Sequence, residues 1–207
     1  KGWQNDKTEM KPFLWERKYE IDSLCYPVQL SYLYWKNAGV TSHFSDEWKN
    51  AAELIMQTFR TEQQHETLSK YRFERTGCPP TDTLSGEGKG SPVKDGIGLV
   101  WSGFRPSDDA CTYGYLIPSN MFLAVILQYI SEIMHTVYCD DRLAEKAGQF
   151  SAEIRAAVEK YALTDSVYAY EIDGLGNRIL MDDANVPSLL AMPYFGYCAP
   201  DDRNYQN

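Results

Sequence analysis

These 207 residues predict an all-α fold in which buried and amphipathic helices alternate around a closed or half-closed ring. Two observations carry that expectation. Segments apolar on nearly all sides, as inner helices are, alternate twice with segments apolar on one face only. Three times, an acidic loop and then a proline precede a buried segment: Glu20 and Asp22 before Pro27, Asp108 and Asp109 before Pro118, Asp182 and Asp183 before Pro187. Helices joined in sequence tend to run antiparallel, so alternate ones run parallel, and the three acidic mouths would meet at one end. Taken singly, each mouth reads equally well as a helix N-cap, since Asp, Asn and Ser belong there.

Along the chain, residues 1–19 carry Trp3, Phe13, Leu14 and Trp15 among charges and show no period. Val28 to Trp35 after Pro27 is apolar on most sides and predicts a buried helix, stopped at Asn37-Ala38-Gly39. Ser45 is an N-cap with Asp46 and Glu47 in the first turn. Trp48, Ala52, Ile55 and Phe59 then mark an outer helix reaching roughly Lys70. Residues 76–98 are rich in Gly, Pro, Ser and Thr, and a stretch of that length is expected to be a long binding loop. Ser119 to Tyr138 is the most hydrophobic segment and predicts an inner helix, with Pro118 in its first turn. Asp140 or Asp141 caps the next, strongly amphipathic helix over Leu143 to Tyr161. Ser166 to Met181 alternates around Asp173-Gly174-Leu175-Gly176-Asn177 and predicts a short β-hairpin. A further apolar helix is expected at Ser188 to Met192, and the tail from Ala199 is polar.

Trp101 to Pro118 gathers a tryptophan, Arg105, the Asp108–Asp109 pair, Tyr113 and Tyr115 in a turn-rich loop at a helix mouth. Carboxylates that bind hydroxyls, next to rings that stack on apolar sugar faces, suit a saccharide. Aromatic residues make up 14% of the chain, enough to furnish such a site as well as a core. A net charge of −9 disfavours nucleic acid and anionic membrane as partners. No uninterrupted apolar run reaches the length of a membrane span, and the residues from Lys1 do not resemble a signal peptide. Five cysteines without C-x-x-C spacing, and three scattered histidines, predict no metal site and no cofactor. Free buried thiols point to a reducing compartment, so a cytoplasmic setting is expected.

Three blocks carry a resemblance. E-R-K-Y-E-I-D-S-L-C-Y-P (Glu16–Pro27), W-S-G-F-R-P-S-D-D-A-C-T-Y-G-Y-L-I-P-S-N-M-F (Trp101–Phe122) and M-D-D-A-N-V-P-S-L-L (Met181–Leu190) closely resemble glycoside hydrolase family 125. The family comprises metal-independent exo-α-1,6-mannosidases that act with inversion on an (α/α)6 barrel. The resemblance implies that residues 1–207 are part of one such catalytic domain, with the short β-hairpin as an insertion. It implies hydrolysis of non-reducing terminal mannose from oligomannose or N-glycan-derived saccharides. Its general acid falls on Asp108 or Asp109, which the sequence does not separate. Glu20, Asp22, Arg105, Asp182, Asp183 and Asn185 would bind mannose hydroxyls, and Trp101, Tyr113 and Tyr115 would wall the pocket. Inversion also needs a carboxylate base about 6.5–9.5 Å from the acid, leaving room for a water. The glutamate that serves the family as base lies in a C-terminal block without a counterpart here. The chain therefore reads as a central part of the enzyme, without its N-terminal part and C-terminal half, and by itself inactive. Two other readings compete: a non-catalytic carbohydrate-binding remnant, and another (α/α)-barrel carbohydrate-active enzyme.

Overall fold

A computed structural model describes residues 5–207, so Trp3 and the start of the N-terminal segment lie outside the described residues. Four long helices form the frame: α1 (Ile21–Ala38), α2 (Asp46–Glu62), α5 (Ile117–Thr136) and α6 (Asp141–Tyr161). Between them lie the short turns α3 (His65–Leu68) and α4 (Ser85–Gly88). The central element is α5, which packs along α6 on one side and α1 on the other. It is buried continuously from Ile117 to Leu127. An 18-residue stretch of it, with a mean hydropathy of 1.3, has the length and composition of a membrane span, which the sequence did not lead one to expect; 78% of that stretch is nevertheless buried within the fold.

The caps explain where the amphipathic helices α2 and α6 begin. Ser45 Oγ accepts the Trp48 N–H at 3.3 Å to start α2, and Asp140 Oδ1 accepts the Leu143 N–H at 3.0 Å to start α6. Gly39, in the left-handed region at φ 67°, closes α1 by donating to Trp35 O. Three expectations about helices need correction. First, α1 starts at Ile21 rather than at Pro27, which sits inside it. Ser23, whose carbonyl loses its partner to the proline, lies on the exposed side, where solvent can satisfy it. Nor is α1 buried all round, because Tyr26, Leu30, Leu33 and Tyr34 are exposed. Second, α2 ends at Glu62, not near Lys70. Its last carbonyls are taken by a distant loop: Trp101 N donates to Glu62 O and Gly96 N to Gln63 O. Third, residues 188–192 form a succession of turns instead of a helix. Pro193 lacks the N–H that would continue a helix through this stretch.

The 76–98 stretch is packed against the body by Leu84, Val93 and Ile97, and is held by Asp82 to Lys18 and Arg75. It is a structural loop rather than an open binding loop. The expected hairpin is present as β4 (Glu171–Ile172) and β5 (Arg178–Ile179), with Asp173 Oδ1 accepting the Leu175 and Asn177 N–H groups in the turn. It recruits β1 (Tyr115–Leu116) into an antiparallel sheet of order β1-β4-β5, with Leu116 opposite Glu171. A second tight hairpin, β2 (Leu163–Thr164) with β3 (Val167–Tyr168), follows α6 directly. That sheet fixes the loop before α5 against the chain that leads to residues 182–185.

Candidate active site

The Arg105–Tyr113 loop is built around one buried carboxylate. Arg105 Nε donates to Glu171 Oε1 at 2.6 Å, and the Tyr113 N–H donates to Glu171 Oε2 at 2.8 Å. Glu171 thereby ties both arms of the loop to β4. Burial works against the Arg105 cation, but Glu171 more than offsets it and holds the guanidinium above its ordinary value. At the tip, Arg105 N donates to Asp109 O and Asp108 N donates to Arg105 O, with Asp108 left-handed at φ 71°. This tight turn presents the two aspartates. Lys18 Nζ approaches Asp108 Oδ1 at 3.4 Å and its carbonyl at 2.9 Å.

Next to this tip stands the start of α1. Burial pushes the Glu20 carboxyl up to about 7, with the charges of Asp22 and Asp108 adding to it and Ser23 opposing. Burial likewise lifts Asp22 to about 6, against its own backbone N–H and the Ser119 hydroxyl. The third segment, residues 182–185, lies against the same loop. Asp183 Oδ1 accepts the Asn185 backbone N–H and its side-chain amide, each at 3.0 Å. Burial opposes its ionisation, but those bonds, Ser107 and the Arg105 charge keep it below the usual carboxylate range. The Tyr26 hydroxyl donates to Val186 O at 2.7 Å and pegs this segment to α1. The three acidic mouths are therefore brought together at one end of the helices.

Not every predicted residue faces that end freely. Trp101 and Tyr115 are core residues, 1% and 0% exposed. Trp101 stacks on His65 at 3.6 Å between ring centroids, and Tyr115 donates to Lys94 O. Close approach of backbone at Gly103 and Gly114 seals the indole, so neither ring offers a wall to a ligand. Asp182 uses both oxygens to accept the Leu189 and Leu190 N–H groups at 2.9 Å and acts as a turn cap. Tyr113 is part-buried. Tyr26 and Tyr194 are exposed rings that the sequence did not single out. Glu171 was also missed; its only signal was an acidic residue at an inward strand position. Tyr26 and Ser23 also line a groove of about 560 Å³ with Leu30 and Leu33. Among the described residues, no three His, Cys, Asp or Glu side chains are grouped as metal ligands.

Comparison with known proteins places the chain in a family. A family model described as metal-independent alpha-mannosidase (GH125) matches residues 1–207. The Meiotically up-regulated gene 157 protein of Schizosaccharomyces pombe is 36% identical over 94% of this chain and 40% of its own length. A metal-independent α-mannosidase structure from Streptococcus pneumoniae, in a non-productive substrate complex with α-1,6-mannobiose, has a TM-score of 0.93 and 45% identity. The match covers 98% of this chain and 49% of that one. The chain thus spans less than half the length of each relative.

Proposed function

The chain belongs to the metal-independent α-mannosidases of glycoside hydrolase family 125, and from that premise we propose that it carries the acid-bearing part of an inverting exo-α-1,6-mannosidase. The observation that carries this reading is the meeting of Glu20 and Asp22, the Arg105–Asp109 tip, and Asp183 with Asn185 at one end of α1 and α5. In this reading α1 and α5 are inner helices, and α2 and α6 outer helices, of an (α/α)6 barrel. The substrate is a mannose-terminated saccharide of oligomannose or N-glycan origin, and a cytoplasmic setting fits the five free cysteines.

One of the pair Asp108 and Asp109 delivers a proton to the glycosidic oxygen as the leaving group departs. Arg105, locked to Glu171, holds the tip that presents them. Glu20, part-protonated near neutral pH, can both donate to and accept from sugar hydroxyls. Asp183 and Asn185 offer an acceptor and a donor alongside. The base glutamate that the resemblance assigns has no counterpart in these residues. Turnover is expected of the whole protein that carries it, and binding alone of these 207 residues.

Hydrolysis of α-1,6-mannobiose in excess EDTA, with the released anomer followed by NMR, tests the proposal. The whole protein should release β-mannose first. Asp108→Asn or Asp109→Asn, whichever is the acid, should lower kcat by at least about a hundredfold, given the 10²–10⁴ that general acids contribute. α-Mannose as first product, or full activity in both variants, contradicts the reading.

A further inference from the structure

One buried polar group at the acidic end has no partner. The Tyr170 side chain is wholly buried, yet its hydroxyl makes no hydrogen bond among the described residues. Leaving such a group unsatisfied costs about 1–3 kcal/mol, and in folded proteins such orphans ask for an explanation. Tyr170 has no freedom to move away from it. Its N–H donates to Ile179 O and its carbonyl accepts the Ile117 N–H, both at 2.9 Å. Its ring is packed by Cys111, Leu116 and Leu189, with the Arg105 guanidinium 5.6 Å from the ring centroid.

Of the charged groups acting on this phenol, Asp183 is foremost, followed by Arg105. Burial, reinforced by Asp183, keeps the phenol protonated, so it is a donor in search of an acceptor. Asp183 accepts both Asn185 donors through Oδ1 and is also hydrogen-bonded by the Ser107 side chain. Its segment is pegged by Asp182 on Leu189 and Leu190 and by Tyr26 on Val186. These pegs hold the segment itself in place, so that a turn of the Asp183 side chain toward the phenol would exchange only its bonds to Asn185 and Ser107.

We propose that Tyr170 is a positioning residue: when a saccharide enters the acidic end, the Tyr170 hydroxyl donates to the Asp183 carboxylate and fixes it for a sugar hydroxyl. The inference rests on the mannosidase reading above and adds to it a residue that does not itself touch the sugar. It also separates function from stability. Tyr170→Phe removes an unsatisfied hydroxyl from a buried site, so it should leave thermal unfolding unchanged or raise its midpoint.

The test is calorimetric titration with α-1,6-mannobiose of wild type, Tyr170→Phe, Asp183→Asn and the double variant, with unfolding midpoints measured in parallel. Hydrogen bonds to charged groups contribute about 1.5–3 kcal/mol, so Tyr170→Phe should weaken binding about tenfold or more at undiminished stability. The double variant should bind no more weakly than Asp183→Asn alone, since Tyr170 acts through Asp183. Wild-type binding retained by Tyr170→Phe overturns the inference and leaves the functional reading standing. Losses that multiply in the double variant overturn it too, as does a lowered unfolding midpoint in Tyr170→Phe, which would mean a bond already made in the free protein. Absence of binding by the wild type overturns the functional reading, and this inference falls with it.

Discussion

Arg105 shows how one side chain organises the site without any need to touch a ligand. Its partner Glu171 is 0% exposed, and its own side chain is 14% exposed, so the pair is an ion pair largely out of water. Such a pair adds little net stability over an apolar one, but breaking it strands a buried charge. Arg105→Leu is therefore expected to cost about 3–5 kcal/mol in urea-induced unfolding, and Glu171→Gln, which keeps the volume but only one of the two acceptors and strands the Arg105 charge, should cost a comparable amount. A cost below about 1 kcal/mol for Arg105→Leu would show that the tip is held by its backbone bonds alone. The sequence made Arg105 legible as a residue of the site loop that would bind mannose hydroxyls, and not as the partner of a buried carboxylate. It could not name that carboxylate, because the pairing spans 66 positions and depends on β1 joining the hairpin. For the same reason Trp101 and Tyr115 were legible as aromatics of the right loop but not as core. Only the three-dimensional approach of Gly103 and Gly114 to the indole decides that.

At the scale of elements, the starts of α2 and α6 and the end of α1 at Gly39 were readable, whereas the start of α1 and the end of α2 were not. Ser45 and Asp140 cap through bonds to residues three positions on, which local sequence can predict. The end of α2 is set by residues 96–101, far along the chain, and the loss of a helix at 188–192 by Pro193 just beyond it. The start of α1 carries a prediction about pH. Its two acids have folded values raised from 4.5 to about 7 and from 3.8 to about 6, chiefly by burial. The folded chain thus holds these protons more tightly than the unfolded chain does. Their stabilising contribution is fully present below about pH 4 and is lost as pH rises to about 7. The double variant Glu20→Gln, Asp22→Asn should therefore unfold with a flatter dependence than wild type across that window, gaining most relative to it at the neutral end. Parallel profiles for the two proteins, from denaturant midpoints measured at several pH values, would contradict this account of α1.

At the scale of the molecule, the buried α5 and the half-exposed α1 define two different surroundings for helices that both present acids at the same end. Tyr26, Leu30, Leu33 and Tyr34 give α1 an exposed apolar face of the kind seldom left bare. Alternation along the sequence made the buried α5 and the amphipathic α6 that follows it legible. It did not reveal that α1 is covered on one side only, because apolar composition is the same whether a face is covered or not. The claim on which everything else depends is that three separated segments form one saccharide site. Titration of these 207 residues with α-1,6-mannobiose, followed by backbone amide shifts in a ¹H–¹⁵N spectrum, tests it most directly. Amides at 20–22, 105–113 and 183–185 should move together and fit a single dissociation constant. Shifts confined to one segment, segments that titrate with different constants, or no shifts at all would contradict a shared site.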